Sequence, residues 1–101
     1  MSSPEFLQDV KDSLRVTGDD LNIEIEDLIE AGKADLILSG VLQSKAIETD
    51  PLIKRAIIVY CKANFGYEDS KTSERFQESY TSLKHHLTLS AEYTTEGDIS
   101  G

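Results

Sequence analysis

Two adjacent histidines, one cysteine, a run of acids and a short basic stripe are the residues of this 101-residue chain whose chemistry invites a functional reading. His85 and His86 are neighbours in sequence. On a helix they point about 100° apart and cannot easily share one metal ion. No Cys-x-x-Cys, His-x-x-x-His or acidic calcium loop accompanies them, so they read as surface residues near a helix end. Cys61 closes the run Ile57-Ile58-Val59-Tyr60-Cys61 and reads as a small core residue rather than a nucleophile. The acids Glu24, Glu26, Asp27 and Glu30 resemble a carboxylate site only by number. A catalytic pair needs a pocket and two distinct environments, and a chain this short offers little room for them. They fit a solvated or lumen-facing surface better. Lys54, Arg55 and Lys62 form a basic stripe that suits pairing with carboxylates within or between subunits. No glycine-rich loop follows a strand, so phosphate cradling is unsupported. These readings predict no catalytic residue, no cofactor site, no metal and no enzymatic activity.

Composition narrows the class. Hydrophobic residues make up 39% and charged residues 29%, values of a folded rather than a disordered chain. The length fits one domain with a modest core, marginal without partners. No apolar run is long enough to span a membrane, and the start Met1-Ser2-Ser3-Pro4-Glu5 lacks a signal-peptide pattern. One cysteine permits no internal disulfide, which predicts folding in a reducing cytoplasm. The net charge of −9 is uneven: residues 1–40 hold ten acids and three bases, residues 41–101 nine acids and seven bases. That balance disfavours a protein that grips phosphates. It suits solubility, or a surface that repels nucleic acid.

Four helices are predicted to position these residues, with no strand. The first runs from about Pro4 to Leu14, with Ser3 as cap, Pro4 in the first helical position and Phe6, Val10 and Leu14 as its apolar stripe. The second starts at Asp19 or Asp20 as cap and runs to about Ser39, with Gly40 as stop. Leu21, Ile25, Leu28, Ile29 and Leu36 share one of its faces, with Gly32 in their midst. A glycine there costs about 1 kcal/mol against alanine and suits close approach of another helix, or is merely tolerated. A second patch, Ile23, Ala34, Ile37 and Leu38, points away, mixed with Asp27 and Glu30. Residues 41–49 connect to a third helix, capped by Asp50 ahead of Pro51 and ended by Asn64-Phe65-Gly66. Its arc of Leu52, Ile53, Ala56, Ile57, Val59, Tyr60 and Ala63 makes it the centre of the core. A fourth helix spans about Lys71 or Ser73 to Leu89, capped by Ser70 or Thr72, on a stripe of Phe76, Tyr80, Leu83 and Leu87. Ile57, Tyr60, Leu28 and Leu83 are the predicted common core. The expected division is a helical domain over 1–89 and a flexible or extended tail over 90–101.

The order of these features resembles the head-tail connector (adaptor) proteins of tailed bacteriophages. Residues 6–16, from Phe6 to Val16, look like the opening helix of that family. Asp19-Asp20 followed by Leu28-Ile29-Glu30-Ala31-Gly32-Lys33 resembles its long second helix. Asp50-Pro51-Leu52-Ile53-Lys54-Arg55-Ala56-Ile57-Ile58 resembles its third. The likeness covers residues 5–89. It departs after the third helix, where many members carry a Tyr and an Arg in a short turn and this chain has Asn64-Phe65-Gly66-Tyr67-Glu68-Asp69 without an Arg.

The resemblance implies an all-α, non-enzymatic virion protein, made in the bacterial host cytoplasm and placed at the head-tail interface. It implies a closed head-to-tail ring of roughly a dozen subunits beneath the capsid portal. The ring extends the DNA channel, passes DNA without specific binding and docks the next connector or tail protein. Membranes play no part. On this reading Ile23, Ile37 and Leu38 are subunit-interface candidates, Tyr93 and Ile99 are portal-docking candidates in the tail, and Glu24, Glu26, Asp27 and Glu30 face the channel or solvent. The competing readings are an acidic regulatory or DNA-mimicking inhibitor, a helical DNA-binding domain disfavoured by charge, and a small enzyme disfavoured by the missing constellation.

Overall fold

The computed structural model describes residues 2–66 and 69–95, and these form helices joined by turns, with no strand among them. Helix α1 spans Pro4–Leu14. The Ser3 hydroxyl accepts the Phe6 N–H at 3.1 Å, and Pro4 occupies the first turn, as the sequence predicts. The helix stops before Thr17-Gly18. Arg15 takes a left-handed conformation, φ 62°, and the Val16 N–H closes back on the Lys11 carbonyl at 2.9 Å.

Helix α2 spans Asn22–Leu38, later than predicted. Neither Asp19 nor Asp20 caps it; the capping position is Leu21, whose side chain has no acceptor. The Asp19 carboxylate instead accepts Lys11 Nζ at 3.1 Å and Asn22 Nδ2 at 3.2 Å, tying the α1–α2 turn together. Helix α3 spans Pro51–Asn64, and the Asp50 carboxylate accepts the N–H groups of Leu52 and Ile53. Helix α4 spans Ser70–Leu89. Its cap is Asp69, which accepts the Thr72 N–H at 2.8 Å, rather than Ser70 or Thr72. A fifth helix, α5, spans Ala91–Thr94.

The core is centred on α3, which packs against α1, α2 and α4. Ile25, Ile29, Leu36, Ile53, Ile57, Val10, Val41 and Cys61 are its fully buried side chains. Of the four residues predicted as the common core, Ile57 is fully buried. Leu28, Tyr60 and Leu83 are only partly buried and pack against its edge.

Gly32 is where α2 and α3 come closest. A Cβ placed on it would lie 3.1 Å from Cδ2 of Tyr60. The missing side chain is the slot that the Tyr60 ring fills. Tyr60 in turn meets Tyr80 of α4 edge-on, with centroids 5.1 Å apart and planes at 66°. The Tyr80 hydroxyl donates to Asp35 of α2, and Lys84 Nζ reaches the same carboxylate at 3.0 Å. This column binds three helices.

The segment after Leu89 corrects the sequence expectation for Tyr93. Residues 90–95 were expected in an extended tail, yet they turn back as α5, and Tyr93 is 6% exposed within the core cluster. The Leu42 N–H donates to the Tyr93 carbonyl at 2.9 Å. The Tyr93 hydroxyl donates to the Asp50 carboxylate. An aromatic with a satisfied hydroxyl gains more from burial than the short helix costs to order.

Candidate functional site

The feature that the core does not use is the outer face of α2. Ile23, Asp27, Glu30, Ala34 and Ile37 follow one another at three- to four-residue spacing, with Leu38 next to the last, one stripe along a helix of about 25 Å. Ile23 is 79% and Leu38 86% exposed, and Ile37 38%. The inner face, with Ile25, Ile29, Gly32 and Leu36, is buried. The helix therefore carries apolar residues on two sides, and the described residues cover only one of them. Isolated exposed apolar residues are ordinary on a monomer. On this face the apolar residues lie at the two ends of the helix, Ile23 at the start and Ala34, Ile37 and Leu38 at the finish, with Asp27 and Glu30 between them.

The predicted interface residues Ile23, Ile37 and Leu38 are thus brought onto one face. The acids divide. Glu24 and Asp27 are exposed, and Glu30 lies 3.8 Å from Lys33. Glu26 turns inward, where its Oε1 accepts the Ser2 hydroxyl at 2.6 Å and the Ser2 N–H at 3.2 Å. Glu26 therefore anchors the start of α1 rather than facing solvent freely. Lys33 also reaches Glu48 at 3.3 Å, and Glu48 accepts the Ser3 N–H at 2.9 Å. Burial pushes the Glu48 carboxyl up, but the bonds from Ser3 and Lys33 outweigh it and hold the group below its ordinary range. The same balance holds at Asp35, where burial is outweighed by Tyr80 and Lys84. These bonds fix both the N-terminal segment and α4 to α2, so the exposed stripe is carried on a braced helix.

The basic stripe also divides. Lys54 pairs with Asp9 of α1 at 2.7 Å. Lys62 lies over the Phe76 ring, 5.0 Å from its centroid. Arg55 opens into a groove of about 540 Å³ between α3 and α4, lined also by Val59, Arg75, Glu78, Ser79, Ser82 and Leu83. His85 and His86 are exposed near the end of α4. Cys61 is buried, and burial pushes its thiol up to about 12, which leaves it unreactive at neutral pH. Among the described residues no group of three or more His, Cys, Asp or Glu is placed to hold a metal ion, and no helix is long and apolar enough to cross a membrane.

Tyr93 is not a free docking residue, because its ring and hydroxyl are both engaged in the core. Ile99 lies outside the described residues. The sequence reading missed a second exposed apolar group. Ile47 is 48%, Leu52 50% and Leu89 71% exposed, all at the end of the bundle where α3 begins and α4 finishes. Leu52 falls within the apolar arc of α3, so periodicity alone assigns it to the core. Its exposure shows that none of the described residues covers it.

A family model described as phage connector protein matches residues 6–94 of the chain. No curated protein and no solved structure matches it.

Proposed function

The chain belongs to the phage connector protein family, and from that premise we propose that it is the adaptor subunit of a ring beneath the capsid portal, which extends the DNA channel and docks the next connector or tail protein. The family is a structural one, and its members are virion components that meet portal or tail proteins. The observation that supports the finer reading is the exposed stripe of α2, apolar at Ile23, Ile37 and Leu38 over a braced helix. On this reading the stripe meets a neighbouring subunit. The uncovered end with Ile47, Leu52 and Leu89 meets the portal or the tail-side partner, with Ile99 as a further contact. Glu24, Asp27 and Glu30 add negative charge to the assembled surface. A ring of about a dozen such chains carries on the order of a hundred negative charges, so DNA slides through without adhering.

Leu38→Asp tests the reading. The substituted side chain is 86% exposed, so the free protein should keep its helical content and melting point. Ring formation on portal-bearing capsids, followed by electron microscopy, should fail. Normal rings would remove the stripe from the interface.

A further inference from the structure

A head-to-tail contact needs two different surfaces on one chain, and the stripe of α2 supplies one. We infer that the α3–α4 groove carrying Arg55 and Arg75 is the other, a socket for the acidic, Ile23-bearing face of a second copy of this chain. The inference rests on the ring reading above and names the faces that meet.

The groove gathers two of the three arginines of a chain of net charge −9. Arg55 and Arg75 are both exposed, and among the described residues neither comes within ion-pair distance of a carboxylate, although the charge of Arg75 is felt by Asp69 at the start of α4. Glu78 is the groove's own acid, which leaves the lining with one excess positive charge. Helices α3 and α4 run antiparallel: Ser73 meets Ala63, Phe76 meets Lys62 and Tyr80 meets Tyr60, so one series rises as the other falls. Arg75 and Ser82 are two turns apart on α4, about 10 Å. Antiparallel packing brings Arg55 to the Ser82 end. The groove therefore has a cation towards each end, with Val59 and Leu83 between them.

The face of α2 carries the opposite charge beside an apolar side chain. Ile23 stands 79% exposed, with Glu24 beside it and Asp27 one turn further on. No Lys or Arg occurs on the helix before Lys33. Seated in the groove, Ile23 meets Val59 and Leu83, and the carboxylates meet the guanidinium groups, which offer planar, paired donors to them. A nucleic-acid phosphate is the rival occupant for two arginines. It is disfavoured by Glu78 within the groove and by the acidic surface around it. Placement favours a repeating contact. Helix α1 packs on α2 and α3, whereas α4 packs on α3 and α5. The Ile23 face and the arginine groove are different surfaces of one chain, so a contact between them is heterologous and can repeat from copy to copy.

The test is self-association of the purified full-length protein by sedimentation, with circular dichroism to confirm folding. Arg55→Glu with Arg75→Glu should weaken association by about tenfold or more. Glu24→Lys with Asp27→Lys should do the same, and the four changes together should restore it. As a second measurement, Ile23→Cys with Ser82→Cys should give a ladder of oligomers on oxidation, while each single variant gives no ladder. Association that is insensitive to the arginine reversal, or a double-cysteine protein without a ladder, overturns this contact and leaves the ring reading standing. A wild-type chain that never self-associates, alone or on portal-bearing capsids, overturns both. Tighter binding of duplex DNA by wild type than by the Arg55→Glu, Arg75→Glu variant assigns the groove to phosphate and overturns the inference.

Discussion

The hydroxyl of Tyr93 lies 3.0 Å from each oxygen of the Asp50 carboxylate, joining positions 43 residues apart. Asp50 is also the cap of α3, accepting Leu52 N–H at 2.9 Å and Ile53 N–H at 3.2 Å. One carboxylate thus starts the central helix and holds the end of the described chain.

Truncation after Leu89 should therefore destabilise the protein. It removes a buried aromatic ring, and large-to-small losses of this kind cost about 3–5 kcal/mol when the site is well packed. Tyr93→Phe keeps the ring and removes the hydroxyl, and should cost about 1 kcal/mol. Urea unfolding of the three proteins checks both. A truncated chain as stable as the full one would show that α5 contributes nothing to the core.

Alkali should act through the same pair. Burial first, and then the Asp50 carboxylate, push the Tyr93 phenol up to about 12 from an ordinary 10. A raised pKa means the folded state holds its proton more tightly than the unfolded chain. The stabilisation is complete below pH 10 and is lost between about pH 10 and 12. Tyr93→Phe should flatten the fall in stability over that window, leaving the part due to Tyr80, whose pKa is raised by burial and Asp35. On the acid side, Asp35 and Glu48 are held below their ordinary values of 3.8 and 4.5. Their contribution is present above those values and disappears as pH falls through the lowered ones. Asp35→Asn should shrink the acid loss in a melting-temperature profile.

Gly32→Ala should lower stability although alanine is the better helix former. The gain in propensity is about 1 kcal/mol. Against it, the new methyl meets Cδ2 and Cγ of Tyr60 at 3.1 and 3.3 Å, atoms near the root of a ring wedged against Tyr80. Forced overpacking costs about 1–3 kcal/mol. Gly32→Leu should be far worse. Tyr60→Ala should relieve the penalty of Gly32→Ala, and a double-mutant cycle in urea measures the coupling.

Ile57→Ala should cost about 2–5 kcal/mol, since Ile57 has no exposure in the middle of α3. Leu83→Ala, at the half-buried margin, should cost less. Equal losses at the two sites would contradict the placement of the core on α3.

What was readable from the sequence was what depends on neighbours in the chain. Ser3-Pro4 and Asp50-Pro51 announce α1 and α3 because a cap and a first-turn proline act within three residues. The periodicity of α2 separated its inner face from Ile23, Ile37 and Leu38 for the same reason. Contacts between distant residues were not readable. Asp19 looked like a cap, but Lys11, eight residues earlier, claims its carboxylate. Tyr93 reads as a docking residue of the tail because its partners, Leu42 and Asp50, lie far away in the chain. The groove of Arg55 and Arg75 was equally hidden, since twenty positions of sequence separate residues that only the packing of α3 on α4 brings to one groove.

The slot at Gly32 has a mechanical consequence. Sliding α3 along α2 by one turn, about 5.4 Å, would carry the Tyr60 ring from a gap onto side chains such as Leu28 or Leu36. The joint therefore resists shear as a tooth in a notch does, with no covalent link across it. A subunit pushed along that axis moves as one piece, and force entering through α2 leaves through α3 without slip.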